Sequence, residues 1–161
     1  MNLSPLIKGV ITAVAMIVFN LTAFYTLPAY SKLHFLLFAI YAGGIIWTLI
    51  AYRNSPNYTG KFGDSFNTAF KCFIVATLIM IVYTFIFNKS HPEFAKDSAK
   101  LYKEEQLRQK DNSKTPDEIE TATVRYEKGY TMAVVYGSIF GYLLVGAAVA
   151  AFGSLIITRR K

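Results

Sequence analysis

Cysteine and histidine are scarce in this sequence, which contains one cysteine and two histidines. Cys72 alone can neither form an internal disulfide nor supply a metal cluster. His34 and His91, without a third ligand, make a weak metal site. The sequence also has no nucleophile-elbow motif and no glycine-rich phosphate-binding loop. We therefore predict that the protein is not an enzyme and has no catalytic residue, no metal and no cofactor.

Charge is missing from long stretches of the chain, although charged residues make up 17% of the whole. The hydrocarbon core of a bilayer is about 30 Å thick and a helix rises about 1.5 Å per residue, so about 20 apolar residues cross it. The first apolar stretch is longer than the roughly 7 to 15 residues of a signal-peptide core, and we expect it to be retained. The sequence predicts four transmembrane helices, at about 7–28, 33–52, 66–87 and 131–157.

Acidic residues are absent from all four predicted spans, which argues against a proton pump or a coupled transporter. Nine of the 10 Asp and Glu residues fall in the segment 88–129, together with nine Lys or Arg. Two capping-box patterns divide this charged segment, one from Ser90 to Glu93 and one from Thr115 to Glu118. They predict one helix over about 91–110 and another from residue 116 toward residue 130, which can continue into the fourth span.

These features predict an all-α fold with a single membrane domain over 1–161. It would be an integral membrane four-helix bundle with a helical extramembrane hairpin at 88–130, between spans three and four. The fourth span is rich in small residues, which allow close approach of helix backbones in a membrane. Asn20 is the strongest polar residue at membrane depth, away from the span ends, and is expected to hydrogen-bond to another helix. The predicted packing residues are Gly137, Gly141, Gly146, Ala150, Gly153 and Asn20.

The net charge of +7 does not indicate a nucleic-acid partner, because the basic residues lie almost wholly between the spans and form no stripe with interleaved aromatics. Lys71 lies about one turn inside the third span and can extend its ammonium into the headgroups. Asp64 suits either the first turn of that helix or a headgroup site. The predicted interface residues are Lys61, Asp64, Lys71, Arg159, Arg160 and Lys161.

The order of motifs resembles a bacterial membrane family known as domain of unknown function 4199. The matching pieces are the run from Gly60 to Phe66, the run from His91 to Phe94, the run from Thr115 to Glu120, and the glycine-rich fourth span with its basic end. The resemblance covers essentially the whole chain. It implies a four-helix protein of the inner membrane of Gram-negative bacteria, and it implies no activity.

We expect a non-enzymatic role in interaction or assembly, because the charged hairpin is the one elaborated soluble element. The partners would be the lipid bilayer and a protein bound through 88–130, with the oligomeric state left open. The alternative is a small uncoupled transporter or channel acting as a homo-oligomer. That alternative needs a polar stripe along a helix, of which the sequence shows only hints, at Asn20, Thr12, Thr22 and Thr77.

The distribution of basic residues bears on the membrane orientation. The side with the termini has seven Lys or Arg and the other side has ten, so a plain count favours cytoplasmic placement of the long loop. The positive-inside rule is strongest for short segments near span ends, and the terminal side consists only of such segments. We therefore expect a multi-pass protein of the bacterial inner membrane with both termini in the cytoplasm, as the resemblance also implies.

Overall fold

The computed structural model of the protein describes residues 3–26, 35–108 and 115–159, and this part of the chain is α-helical with no β-strand. The predicted all-α class is confirmed. The described helices are α1 (Pro5–Thr26), α2 (Leu36–Arg53), α3 (Phe62–Ser90), α4 (Glu93–Arg108) and α5 (Pro116–Arg159).

Four of these helices, α1, α2, α3 and α5, are long and apolar enough to cross a bilayer. Their positions match the four predicted spans, although the last residues of the first span and the first of the second lie outside the described residues. α3 begins at Phe62, four residues before the predicted start of the third span. The early start follows from the first turn, in which Asp64 is the acidic residue that a helix N-terminus favours.

α5 is a continuous helix of 44 residues. It contains both the predicted second loop helix and the predicted fourth span, so the continuation allowed by the sequence is confirmed. Pro116 is the last proline of the chain, and nothing after it interrupts the backbone hydrogen bonds of a helix. The capping box at its start is also confirmed, because the Thr115 N–H donates to Glu118 Oε2 at 2.7 Å and the Glu118 N–H lies 3.4 Å from Thr115 Oγ1.

The predicted capping box from Ser90 to Glu93 is wrong. Ser90 is the last residue of α3 and does not precede the first turn of α4. α4 starts two residues later than predicted, and its first turn forms through bonds from the Phe94 N–H to the His91 carbonyl and from the Lys96 N–H to the Pro92 carbonyl.

The chain divides into two compact units, one of Met1–Ile81 with Ile139–Lys161 and the other of Val82–Ser138. In the first unit, α1 packs closely on α2 and α3. The side chain of Thr12 fills the space beside Gly44, and a methyl group on Gly9 would lie only 2.5 Å from the Cys72 carbonyl oxygen. Glycine at both positions therefore permits an approach that a larger residue would prevent.

The core of the first unit has a few large side chains among many small ones. Tyr41, Met16, Ile45, Leu49 and Met80 are its largest fully buried residues. Large apolar residues such as Leu144 and Phe152 lie exposed on the outside. An apolar exterior is what a helix surface facing lipid requires.

In the second unit, the end of α3 meets the start of α4 through aromatic rings. His91 Nδ1 lies 2.8 Å from the Phe87 carbonyl oxygen, and the His91 and Phe87 ring centroids are 4.4 Å apart. Phe94 of α4 contacts the same two rings. Further along, Ala99 of α4 and Ile119 of α5 are buried.

Candidate functional site

The most distinctive surface of the second unit is the side of α4 that is turned away from α5. We call it the outer face of α4, and it consists of Asp97, Leu101, Glu104, Glu105 and Arg108. Most neighbours in this set are three or four positions apart, so the side chains share one side of the helix. All five are exposed, and Leu101 keeps 52% of its surface accessible.

The opposite side of α4 packs against α5. The rings of Tyr102 and Tyr126 are stacked with their centroids 4.8 Å apart and their planes 3° from parallel. Lys103 forms an ion pair with Glu120 beside this stack. Ala99 is buried one turn earlier. Because these contacts hold one side of α4, the outer face is presented on a fixed scaffold.

Acidic and basic side chains lie mainly on different sides of α4. Lys96, Lys100 and Lys103 are three or four positions apart and form one flank of the helix. The outer face instead carries three carboxylates and one guanidinium, a formal charge of −2. The electrostatic potential of this face is complementary to that of a basic surface.

The predicted interface residues lie mainly at helix ends. Asp64 accepts a hydrogen bond of 2.6 Å from the Thr59 hydroxyl, in the first turn of α3. The preceding turn depends on Gly60, whose φ of 72° is a backbone conformation that glycine adopts without strain. The side chains of Lys61, Lys71 and Arg159 are exposed. Arg160 and Lys161 lie outside the described residues, and a headgroup role for the set stays a prediction.

The small residues of α5 lie in different surroundings. A methyl group on Gly146 would be 2.5 Å from the Tyr41 phenolic oxygen and 2.8 Å from Phe73 Cδ2. A methyl group on Gly153 would be 2.5 Å from Leu49 Cδ1. At these two positions the absence of a side chain lets α2 and α3 approach α5.

The other residues of the predicted packing set have different surroundings. Ala150 is fully buried, and a methyl group on Gly141 would meet Phe38 at an ordinary 3.7 Å. Among the described residues, no atom lies within 4 Å of the corresponding position at Gly137. Asn20 is half-buried on α1 and interacts with another group.

A buried hydrogen-bond network that the sequence reasoning missed joins α2, α3 and α5. The Tyr41 hydroxyl lies 2.7 Å from Thr77 Oγ1, 3.2 Å from the Tyr142 carbonyl oxygen and 3.4 Å from the Phe73 carbonyl oxygen. The available signal was a tyrosine in the middle of a span, since its hydroxyl needs a partner there.

Metal-binding side chains do not gather in the part of the chain that the structure describes. No group of three or more His, Cys, Asp or Glu residues is placed there to hold an ion. His91 is half-buried beside the Phe87 carbonyl, and His34 lies outside the described residues.

Comparison with known proteins gives one match. The model of a family described as "Protein of unknown function (DUF4199)" matches residues 8–159. No curated protein and no solved structure matches the chain.

Proposed function

The chain belongs to the DUF4199 family of proteins of unknown function, and from that premise we propose that it is a non-enzymatic multi-pass membrane protein that acts by binding a protein partner. Its four apolar helices provide the membrane anchorage. The helix pair formed by α4 and the first part of α5 provides the binding surface outside the hydrocarbon.

The outer face of α4 is the observation that carries this proposal. It combines the exposed Leu101 with three acidic side chains and one arginine. The opposite side of the helix is already packed against α5. Exposed charges of this density are incompatible with the hydrocarbon core, so the surface belongs in water. A surface of this chemistry fits a basic amphipathic segment, which would cover Leu101 with an apolar residue and pair Lys or Arg with Glu104 and Glu105.

The two kinds of contact have separate roles. Burying Leu101 removes apolar area from water and contributes to affinity. The carboxylates steer the basic segment and select it over acidic competitors. Binding should therefore weaken as salt rises, because exposed charges are screened beyond about 10 Å at 0.1 M ionic strength.

Site-specific photo-crosslinking in native membranes tests this proposal. A photoreactive residue at position 101 of the full-length protein should give an adduct with a protein, and peptide mapping should place the contact in a basic segment. The same residue at Thr121, which is exposed on α5, is the matched position control.

Charge variants decide whether the adduct reflects recognition. The double change Glu104→Lys and Glu105→Lys should abolish the adduct, whereas Lys96→Glu with Lys100→Glu on the basic flank should preserve it. Equal crosslinking from positions 101 and 121, or an adduct that survives the Glu104 and Glu105 changes, would overturn the proposal.

We also propose that the membrane is the inner membrane of a Gram-negative bacterium, with both termini in the cytoplasm and the charged helix pair on the opposite side. Support comes from the resemblance stated above and from the basic residues at span ends, Lys8, Arg53, Lys61 and Lys71. Basic residues in short segments beside spans favour the cytoplasm.

A transport function receives less support from the described residues. The hydroxyls of Thr12 and Thr22 donate to carbonyl oxygens of their own helix, at 2.8 Å in each case. The Thr77 hydroxyl is paired with Tyr41. The hydroxyls of these threonines are therefore bonded to their own helix backbone or to Tyr41, which counts against a continuous polar path along them.

A further inference from the structure

Lys8 is a buried lysine in the second turn of α1, with 7% of its surface exposed. Its Nζ lies 5.6 Å from the centroid of the Trp47 ring. Among the described residues, Lys103 with Glu120 is the one ion pair, and no carboxylate lies within 4.0 Å of the Lys8 ammonium. Nζ also has no hydrogen-bond acceptor in that part of the chain.

The carbon chain of Lys8 is buried, but Nζ is not a fully buried atom and faces the cavity described below, where it has no carboxylate partner. The face of Trp47 lies beside the ammonium in a cation–π contact. A ring face, however, offers no lone pair, so it does not accept conventional hydrogen bonds from the three N–H donors of the ammonium. An anion beside Lys8 would supply the charge-assisted hydrogen bonds that the ring face does not provide.

A cavity of about 300 Å³ opens at this lysine. The polar residues around it come from the start of α1, the end of α2, the turn that follows α2 and the start of α3, and they include Ser4, Lys8, Tyr52, Asn57 and Thr68. This volume is at the lower end of the range of small-molecule sites.

Two neutral donors around the cavity remain available to a ligand. Ser4 Oγ accepts the Ile7 N–H at 3.3 Å, and its own proton is then free to be donated outward. The Asn57 amide is exposed at the rim. The Thr68 hydroxyl, in contrast, already donates to the Asp64 carbonyl oxygen at 2.8 Å.

The start of α1 adds a favourable potential. α1 begins at Pro5 and runs for 22 residues, so the positive end of its dipole lies at the same cavity, although Pro5 has no N–H and the Ile7 N–H already donates to Ser4 Oγ. The Lys8 ammonium and the helix N-terminus are independent features, and both favour an anion at this place.

We propose that this cavity binds a phosphate group, held by Lys8 with Ser4 and Asn57 as neutral donors. The cavity lies at the ends of three apolar helices, where lipid headgroups and aqueous phosphate both have access. The phosphate group comes either from an anionic phospholipid headgroup or from free phosphate. This inference does not depend on the protein partner proposed for α4.

Trp47 is the one tryptophan of the chain, so its fluorescence reports on the Lys8 cavity without a label. The full-length protein, purified in a nonionic detergent and stripped of lipid, is titrated with inorganic phosphate in one arm. In the other arm it is titrated with mixed micelles containing phosphatidylglycerol, with phosphatidylcholine micelles as the reference.

The wild type should show a saturable change in Trp47 emission in at least one arm. A response to inorganic phosphate assigns the site to the free anion, and a response to phosphatidylglycerol alone assigns it to the lipid headgroup. Lys8→Gln should weaken the binding at least tenfold, whereas Lys128→Gln, at an exposed lysine of α5, should leave it unchanged.

A second variant protects the test against a folding defect in Lys8→Gln. Asn57→Ala changes an exposed residue at the rim and should weaken binding several-fold while the thermal melting curve stays that of the wild type. No saturable response of the wild type in either arm would overturn the proposal. Unchanged affinity in both the Lys8 and the Asn57 variants would do the same.

Discussion

The phenolic oxygen of Tyr41 lies 2.7 Å from the hydroxyl oxygen of Thr77, and this pair joins α2 to α3 where both side chains are buried. A phenol has one proton, so Tyr41 donates to one acceptor at a time. When that acceptor is the Tyr142 carbonyl oxygen at 3.2 Å, Thr77 can donate to Tyr41. One residue of α2 is thereby bonded to both α3 and α5.

Removing the Tyr41 hydroxyl should destabilise the protein modestly. Hydrogen bonds between membrane helices average about 0.6 kcal/mol and reach about 1.7 kcal/mol. We expect Tyr41→Phe and Thr77→Val each to lower the melting temperature in detergent. The double variant should be less destabilised than the sum of the two single variants, because the second change removes a bond already lost. Strict additivity in this double-mutant cycle would show that the two hydroxyls are not coupled.

Two glycines of α5 should respond oppositely to alanine. Gly146→Ala places a methyl group against Tyr41 and Phe73 and should lower the melting temperature, because these buried rings have little room to shift. Gly137→Ala meets no described atom within 4 Å and should leave it unchanged or raise it, since alanine favours a helix over glycine by about 0.5 to 1 kcal/mol. A loss of stability in the Gly137 variant would indicate that this residue packs against something outside the described residues.

The capping box of α5 should act locally. Thr115→Ala removes the hydroxyl that faces the Glu118 N–H and typically costs about 1 kcal/mol at a helix N-terminus. Hydrogen exchange measured by mass spectrometry should become faster in the first turn of α5 and stay unchanged in α2. Thr121→Ala, at an exposed position within the same helix, is the matched control. Unaltered exchange in the first turn would show that the cap contributes nothing.

The proposed orientation can be tested with a single introduced thiol. Cys72 is the one native cysteine and is buried, so it should not react in the folded protein. Ser113 lies in the charged segment between the third and fourth spans and outside the described residues. In intact cells, Ser113→Cys should react with a membrane-impermeant maleimide. Reaction only after the inner membrane is opened would place the segment in the cytoplasm.

The helices were predictable because their signals are local. A charge-free run of about 20 residues has few uses other than a membrane span, and the Thr115 pattern has a direct mechanism. The pattern at Ser90 failed for a physical reason: serine is also compatible with the last turn of a preceding helix, and α3 extends far enough to include it. A capping pattern does not show where the previous helix ends.

The contacts between helices were much less predictable. The rotation of each helix about its axis decides which residues face inward, and an apolar helix in lipid shows little difference between its sides. Tyr41 and Lys8 are therefore buried by packing that single spans do not reveal. The same limit applies to α5, where small residues recur along the span but the tightest approach occurs at Gly146 and Gly153.

The position of Tyr41 in the chain also has a consequence for biosynthesis. Its two partners follow at different distances, Thr77 after 36 residues and Tyr142 after 101. At about 5 to 20 residues per second, Thr77 is synthesised roughly 2 to 7 s after Tyr41 and Tyr142 roughly 5 to 20 s after it. A nascent α2 can therefore satisfy its buried hydroxyl as soon as α3 enters the membrane. The first three helices can therefore pack together before α5 is synthesised. A ribosome stalled before α5 should leave an insertion intermediate in which the Tyr41 hydroxyl is already hydrogen-bonded.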